Sequence, residues 1–315
     1  MNAAVKPKRS VRIKRWFKKF FEQWELQTMV WPGVIFMLIF NFLPIYGLTI
    51  AFRSYTVMDT MQTAPWVGFD NFEIILRDKF FWDSVVNTLA ISLLKVALGF
   101  FLPIILAVMI FELRQGPFKK LVQTISYMPY FLSWIVLGGM LINWLSTTGL
   151  LNTILAGLGF NIRNQNYLLS ADNYYWIAVL SDIWKNTGWG TILYLATLSK
   201  IDPTYYEAAK IDGATRMQQV TKITLPMLRS IISLNLILTI SGLLGSNLDQ
   251  TMVLMNNQNR PRAEVINSYV FDMGIAQGDF SYATAVGLGI SIVSVILLLI
   301  SNQMTKRLND NTSVL

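Results

Sequence analysis

Six apolar stretches, 29–52, 85–111, 121–145, 174–198, 230–255 and 281–305, each match or exceed the roughly 20 residues that carry a helix across the hydrocarbon core of a bilayer. They set the frame for every other feature of this 315-residue chain, because a segment this apolar must be buried in protein or in lipid. The remaining composition points to lipid: 53% of residues are hydrophobic and only 14% charged, against about 25% in soluble domains. The expected fold is an all-α integral membrane domain of six transmembrane helices over residues 29–305.

Alternation of the six stretches puts the segments 1–28, 112–120, 199–229 and 306–315 on one side and 53–84, 146–173 and 256–280 on the other. The first side carries eighteen Lys and Arg, the second six. Basic residues are retained in the cytoplasm, so both termini are expected there, and the formal charge of +8 needs no nucleic acid to explain it. Within the N-terminal segment, Ile13, Trp16, Phe17, Phe20 and Trp24 recur at helical intervals among Lys and Arg. That pattern suits either a helix lying on the lipid surface of the inner leaflet or a set of charges that orients the first span.

Catalytic chemistry has little to work with. Cysteine and histidine are both absent, which removes disulfides, thiol nucleophiles and the commonest general base and metal ligand. No GxxxxGK[ST] phosphate loop occurs, so ATP, if used, is hydrolysed by another chain. An ion-coupled secondary transporter stays open as a second reading, since Asp and Lys can relay charge. A membrane-embedded enzyme is a third, without a visible nucleophile and base to support it.

Four ionisable residues fall inside the expected spans: Lys95, Asp182, Lys185 and Asp249. A charge at such depth costs about 2.5–3.5 kcal/mol on insertion scales and therefore faces a partner or a pathway. Asp182, Lys185, Asn186 and Trp189 follow i, i+3, i+4, i+7 spacing and share a helical face, while Asn247, Asp249 and Gln250 cluster in the fifth stretch. Ion pairs that fix helix packing and a polar path for solute both fit this pattern. In-span Pro44, Pro103, Gly138, Gly139, Gly242 and Gly245 read as kinks and close helix contacts. The outer segments 53–84 and 146–173 mix aromatic and polar residues, as either solvated connections or a docking surface.

The polar segment 199–229 stands apart. Asp202 followed by Pro203 is a helix start; YYEAAKID then runs to Gly213, where a bend is expected, and ATRMQQVTKITL forms a second helical stretch ending at Pro226. Glu207, Ala208 and Ala209, then Gly213, Ile223, Leu225 and Pro226, resemble at every fixed position the EAA pattern of binding-protein-dependent ABC transporter permeases. The surrounding WKNTGWGTILYLATLSKIDPTYYEAAKIDGAT, with WVGFDNF at 66–72 and NTL at Asn87–Leu89, is similar to the carbohydrate-uptake branch of that family, of maltose and complex-polysaccharide type.

The resemblance implies a type I ABC importer permease that forms half of a path for an oligosaccharide or modified sugar. Glu207, Ala208, Ala209 and Gly213 would then be the contact to the ATPase through a coupling helix. It further implies a second, homologous permease, two cytoplasmic ATPase subunits that hold the ATP and magnesium, and an extracytoplasmic sugar-binding protein, with no cofactor in this chain. Sugars are held by aromatic faces and planar amide or carboxylate groups, so Trp184, Asn186, Trp189, Asn247, Asp249 and Gln250 are the expected lining of the path.

Overall fold

A computed structural model describes residues 22–160, 165–245 and 247–308. Most of the basic N-terminal segment, the tail beyond residue 308 and the NIRN of the second outer loop lie outside the described residues. Among the described residues the fold is helical, with one isolated antiparallel bridge, Arg53 to Trp66.

Among the described residues four helices are long and apolar enough to cross a membrane: α1 (Trp24–Phe52), and three others at Lys79–Glu112, Arg216–Ser241 and Phe280–Met304. In chain order the remaining elements are α2 (Asp70–Arg77), α3 (the helix Lys79–Glu112), α4 (Pro117–Phe131) and α5 (Trp134–Trp144). They continue with α6 (Leu150–Gly157), α7 (Ala171–Leu198) and α8 (Thr204–Ile211). α9 is the helix Arg216–Ser241, followed by α10 (Leu248–Leu254), α11 (Arg260–Ala263), α12 (Ile266–Phe271) and α13 (Phe280–Leu308). α4 and α5 together could make a fifth crossing, bent by 96° at their junction. α7 is 28 residues, long enough to cross, but carries Asp182 and Lys185 and buries ten residues against its neighbours. It is the centre of the molecule, packed on α3, α4, α9, α11 and the turn at 128–131.

Two expected spans are redrawn. The stretch 121–145 is not one straight helix. Pro129 lies in a tight 3₁₀ turn, Met128–Phe131, and Ser133 starts a new helix by accepting the Val136 N–H at 3.2 Å. Both residues sit in apolar sequence, which hydropathy reads as continuous. The stretch 230–255 is likewise two pieces: α9 stops at Ser241, the chain turns through Gly242 and Gly245, and α10 restarts at Leu248. In compensation α9 begins earlier, at Arg216, so the second helical stretch of the polar loop does not end at Pro226. It runs through it, because a wider π-helical turn at Val220–Thr224 precedes the proline and absorbs its missing N–H and ring bulk.

α1 has only 6% of its most apolar window covered by the rest of the chain, as a lipid-facing helix requires. Three buried clusters hold the other helices. One joins α1, α2, α12 and α13 (Ala51, Ile75, Tyr269, Ala285); another joins α3 to α7 and α10 (Ile91, Val179, Leu254); the last joins the far halves of α3, α7 and α9 (Ile110, Leu198, Leu228). Polar side chains close the outer loops. Asn71 donates to Ala51 O and Arg53 O, and Asn87 to Pro261 O and Glu264 O, while Thr88 Oγ1 accepts the Ile266 N–H at 2.9 Å. The WVGFDNF and NTL motifs are thus backbone ties.

Asp78 caps α3 by accepting the Phe80 N–H and accepts hydrogen bonds from the hydroxyls of Tyr269 and Tyr282, joining α3 to α12 and α13. Burial would push its carboxyl up, but those hydroxyls and the backbone N–H groups of Phe80 and Phe81 outweigh burial and hold it below its ordinary value.

α7 and α4 cross closely at Gly188, where an added Cβ would lie 1.8 Å from the Ser126 carbonyl oxygen. Gly188→Ala is expected to force the two helices apart, at a cost of about 1–3 kcal/mol or more. Thermal unfolding of the detergent-solubilised chain reads this loss. Gly287→Ala, which meets open space, should leave the midpoint unchanged or slightly raised.

Candidate functional site: a polar cleft beside the central helix

Lys95 of α3 and Asp182 of α7 form an ion pair at 3.2 Å, with side chains only 18% and 16% exposed. The ammonium also donates to Gln250 Oε1 of α10 at 2.9 Å, and Asp182 Oδ1 accepts from Asn247 Nδ2 at 2.8 Å. Gln250, itself buried, donates to Ala178 O at 2.7 Å and Ser181 Oγ at 2.9 Å. Three elements distant in sequence are therefore stitched together by one satisfied network, which is what a charge away from water requires.

Lys185 solves a different problem. Where the helix breaks between α4 and α5, backbone carbonyls lose their intrahelical donors. Lys185 Nζ donates to two of them, Tyr130 O at 2.7 Å and Leu132 O, and lies over the rings of Tyr130 and Trp134. Trp189 stacks on Tyr130 with centroids 4.3 Å apart. Lys185 and Trp189 are thereby committed to the bend.

Beside the ion pair opens a cleft of two confluent lobes, about 320 and 330 Å³, which share Lys95, Val96, Asp182, Asn186 and Thr239. One lobe reaches Tyr194 and Asn235, the other Asn247. Asn235 donates to Tyr194 Oη at 2.9 Å, which leaves its carbonyl oxygen to a solute. The lining is thus amides, hydroxyls and one neutral charge pair on an apolar floor, chemistry suited to a molecule with many hydroxyl groups.

Of the six residues expected to line a sugar path, the structure brings Asn186 and Asn247 to this cleft, with Gln250 behind them holding Lys95. Trp184 lies elsewhere. Two residues along a helix turn about 200°, so Trp184 points nearly opposite to both Asp182 and Asn186, into a separate aromatic pocket with Trp144 and Trp176. Asp249 lies on the seven-residue α10, outside the helices long enough to cross a membrane. It is exposed on α10 and its side chain makes no ion pair or hydrogen bond among the described residues. Asn235 and Thr239 were missed by sequence reading, although a lone amide in the apolar run of α9 was the available signal.

In the polar loop, Asp202 Oδ1 accepts the Thr204 N–H at 2.9 Å, and this capping bond holds its carboxyl below the ordinary value. α8 closes with two bonds, Gly213 N to Lys210 O at 3.1 Å and Ala214 N to Ala209 O at 2.8 Å, the pattern of a helix end that needs a left-handed residue. Gly213 supplies it with φ +76°. Thr215 then caps α9 reciprocally with Gln218. Tyr206 ties α8 to α9 through Thr224 Oγ1 at 3.1 Å. Glu207 and Ala208 remain exposed and Ala209 is half-buried.

Comparison with known proteins matches residues 99–313 to the family described as binding-protein-dependent transport system inner membrane component. The polygalacturonan/rhamnogalacturonan transport system permease protein YteP of Bacillus subtilis is 37% identical over 94% of this chain and 92% of its own. Protein LplB of the same organism is 38% identical over 92% of this chain and 90% of its own. Among solved structures, a chain of a bacterial ABC transporter involved in the import of the acidic polysaccharide alginate superposes with TM-score 0.86 at 33% identity, covering 94% of this chain and 99% of that one.

Breaking the ion pair from one side strands the other charge. Lys95→Met and Asp182→Leu should each cost about 2–4 kcal/mol, and the double variant less than the sum of the two. Thermal denaturation of the four proteins of this cycle in detergent measures the coupling.

Proposed function

The chain belongs to the binding-protein-dependent transport system inner membrane components, the multi-pass permeases of ABC importers, and we propose that it forms half of the transmembrane path of an importer for an oligosaccharide or modified sugar. The observation that carries this reading is the amide- and hydroxyl-lined cleft beside α7, in a chain similar to a polygalacturonan/rhamnogalacturonan transport permease and to a chain of an alginate importer. Asn186, Asn235, Thr239 and Asn247 would offer hydrogen bonds to sugar hydroxyls as the solute passes. Lys95 and Asp182 hold the wall in place, so Asp182 serves packing and path together.

The energy for movement comes from outside the chain. Two cytoplasmic ATPase subunits would bind the ATP and magnesium and act on α8 as a coupling helix, with Glu207, Ala208 and Ala209 at the contact and Gly213 setting its angle. Two apolar side chains flanking Gly213 support the assignment: Ile211 at the end of α8 and Met217 in the first turn of α9 are 87% and 70% exposed, a surface that gains by burial on a partner. A single handle per chain calls for a second, homologous permease beside this one. An extracytoplasmic sugar-binding protein, as in the alginate transporter solved with its pentasaccharide-bound periplasmic protein, would deliver the sugar to the outer loops, with both termini in the cytoplasm.

Gly213 tests the coupling half of the proposal. A Cβ there meets nothing within 4 Å, so the strain of a substitution lies in the left-handed backbone alone, about 1–2 kcal/mol. Gly213→Val should leave the permease pair assembled but lower substrate-stimulated ATP hydrolysis in proteoliposomes. Gly213→Asn, which tolerates that backbone, should retain most of it, and Glu207→Ala should fall between. Unchanged hydrolysis in Gly213→Val would remove α8 from the coupling path.

A further inference from the structure

On the side of α7 away from the polar cleft lies a cavity of about 520 Å³ between α5, α6 and the first half of α7. Its walls are Trp144, Trp176, Trp184, Tyr167, Leu151 and Leu180, with the Trp144 and Trp184 rings edge to face at 6.5 Å. The structure assigns this pocket to one acyl chain of a membrane phospholipid.

Much of its sparse polar lining is tied to the protein. Tyr167 Oη donates to Asn152 Oδ1 at 3.2 Å, Asn173 Nδ2 to Tyr167 O at 3.3 Å, and Ser181 Oγ to Ile177 O at 2.6 Å. A sugar placed here would find flat aromatic faces and, at the mouth, the Asn173 amide oxygen, but no carboxylate or charged group along the pocket's length, whereas a hydrocarbon chain needs none of these. The pocket also has the right depth. From Asn173 to Trp184 it runs along about 16 Å of α7, close to one leaflet of a hydrocarbon core about 30 Å thick. Its floor is thus at mid-membrane and its mouth at the lipid headgroups.

The mouth carries its own evidence. Residues 146–160, which include α6, contain no Asp, Glu, Lys or Arg, and Leu150, Ile154, Leu158 and Phe160 are exposed on them. An uncharged connection presenting four large apolar side chains is out of place in water but at home in the boundary between headgroups and acyl chains. A lipid whose headgroup rests over α6 can lower one tail between Trp144, Trp176 and Trp184. By the distribution of basic residues this is the outer leaflet, where the tail would wedge α5 against α7 beside the bend that Lys185 holds.

The test uses the full chain extracted in mild detergent. Intact-mass measurement after extensive washing should show a single retained phospholipid. Leu180→Trp fills the cavity from a position that is more than half exposed, and should lose that lipid while keeping the wild-type unfolding midpoint. In protein stripped of lipid, phosphatidylglycerol with dibrominated acyl chains should quench tryptophan fluorescence saturably. Trp184→Phe should diminish the quenching while the lipid is still retained. Absence of a retained lipid in the wild-type chain, or equal retention in Leu180→Trp, would overturn the assignment. So would quenching relieved by an added oligosaccharide, which would give the pocket to sugar, or a copurifying protein chain that shields these tryptophans from the brominated lipid.

Discussion

The ion pair of Lys95 and Asp182 is the interaction on which this membrane fold turns. A lone charge inside a bilayer must find a partner or be expelled, and here the partners come from α3, α7 and α10, elements more than 60 residues apart in the chain. Because Asn247 and Gln250 complete the network, the segment that follows α9 is held against α7. The helix that covers the expected stretch 230–255 therefore runs from Arg216 to Ser241, and the remainder of the stretch folds as the separate α10. A polar requirement overrides an apolar run.

The same logic governs the break between α4 and α5. Freed carbonyls in an apolar surrounding are costly, and Lys185 answers two of them from the neighbouring helix. Pro129 and Ser133 make the bend; Lys185 and the stacked Trp189 make it tolerable. Two lysines that look alike in sequence thus do unrelated work, one closing a charge pair beside the cleft and the other capping a helix end.

What could be read from the sequence divides along physical lines. Local backbone chemistry was legible: Asp202 before Pro203 starts a helix, and Gly213 takes the left-handed conformation that its place in the polar loop suggested. Continuous helices lie where the long apolar runs were read for α1, α3, α7 and α13. Breaks made by single residues in greasy sequence did not, since Ser133 and Gly242 change hydropathy little. The helix through Pro226 was hidden as well, because only the π turn before it shows that the proline is accommodated. In the cleft, Asn186 and Asn247 were legible as polar residues where lipid was expected. Trp184 was misplaced because an aromatic residue in a polar neighbourhood says nothing of which side of the helix it faces.

On these proposals α7 would have two functional sides, amides and hydroxyls toward the solute path and tryptophans toward lipid. The natural absence of cysteine makes one measurement decisive, namely the reaction of single cysteines with a membrane-impermeant thiol reagent in the assembled transporter. Thr239→Cys, in the wall of the cleft, should be labelled and should be protected by the transported sugar, while Leu180→Cys should stay unlabelled under both conditions. Labelling and sugar protection at Leu180→Cys, with Thr239→Cys inert, would place the path on the other side of α7 and contradict this account.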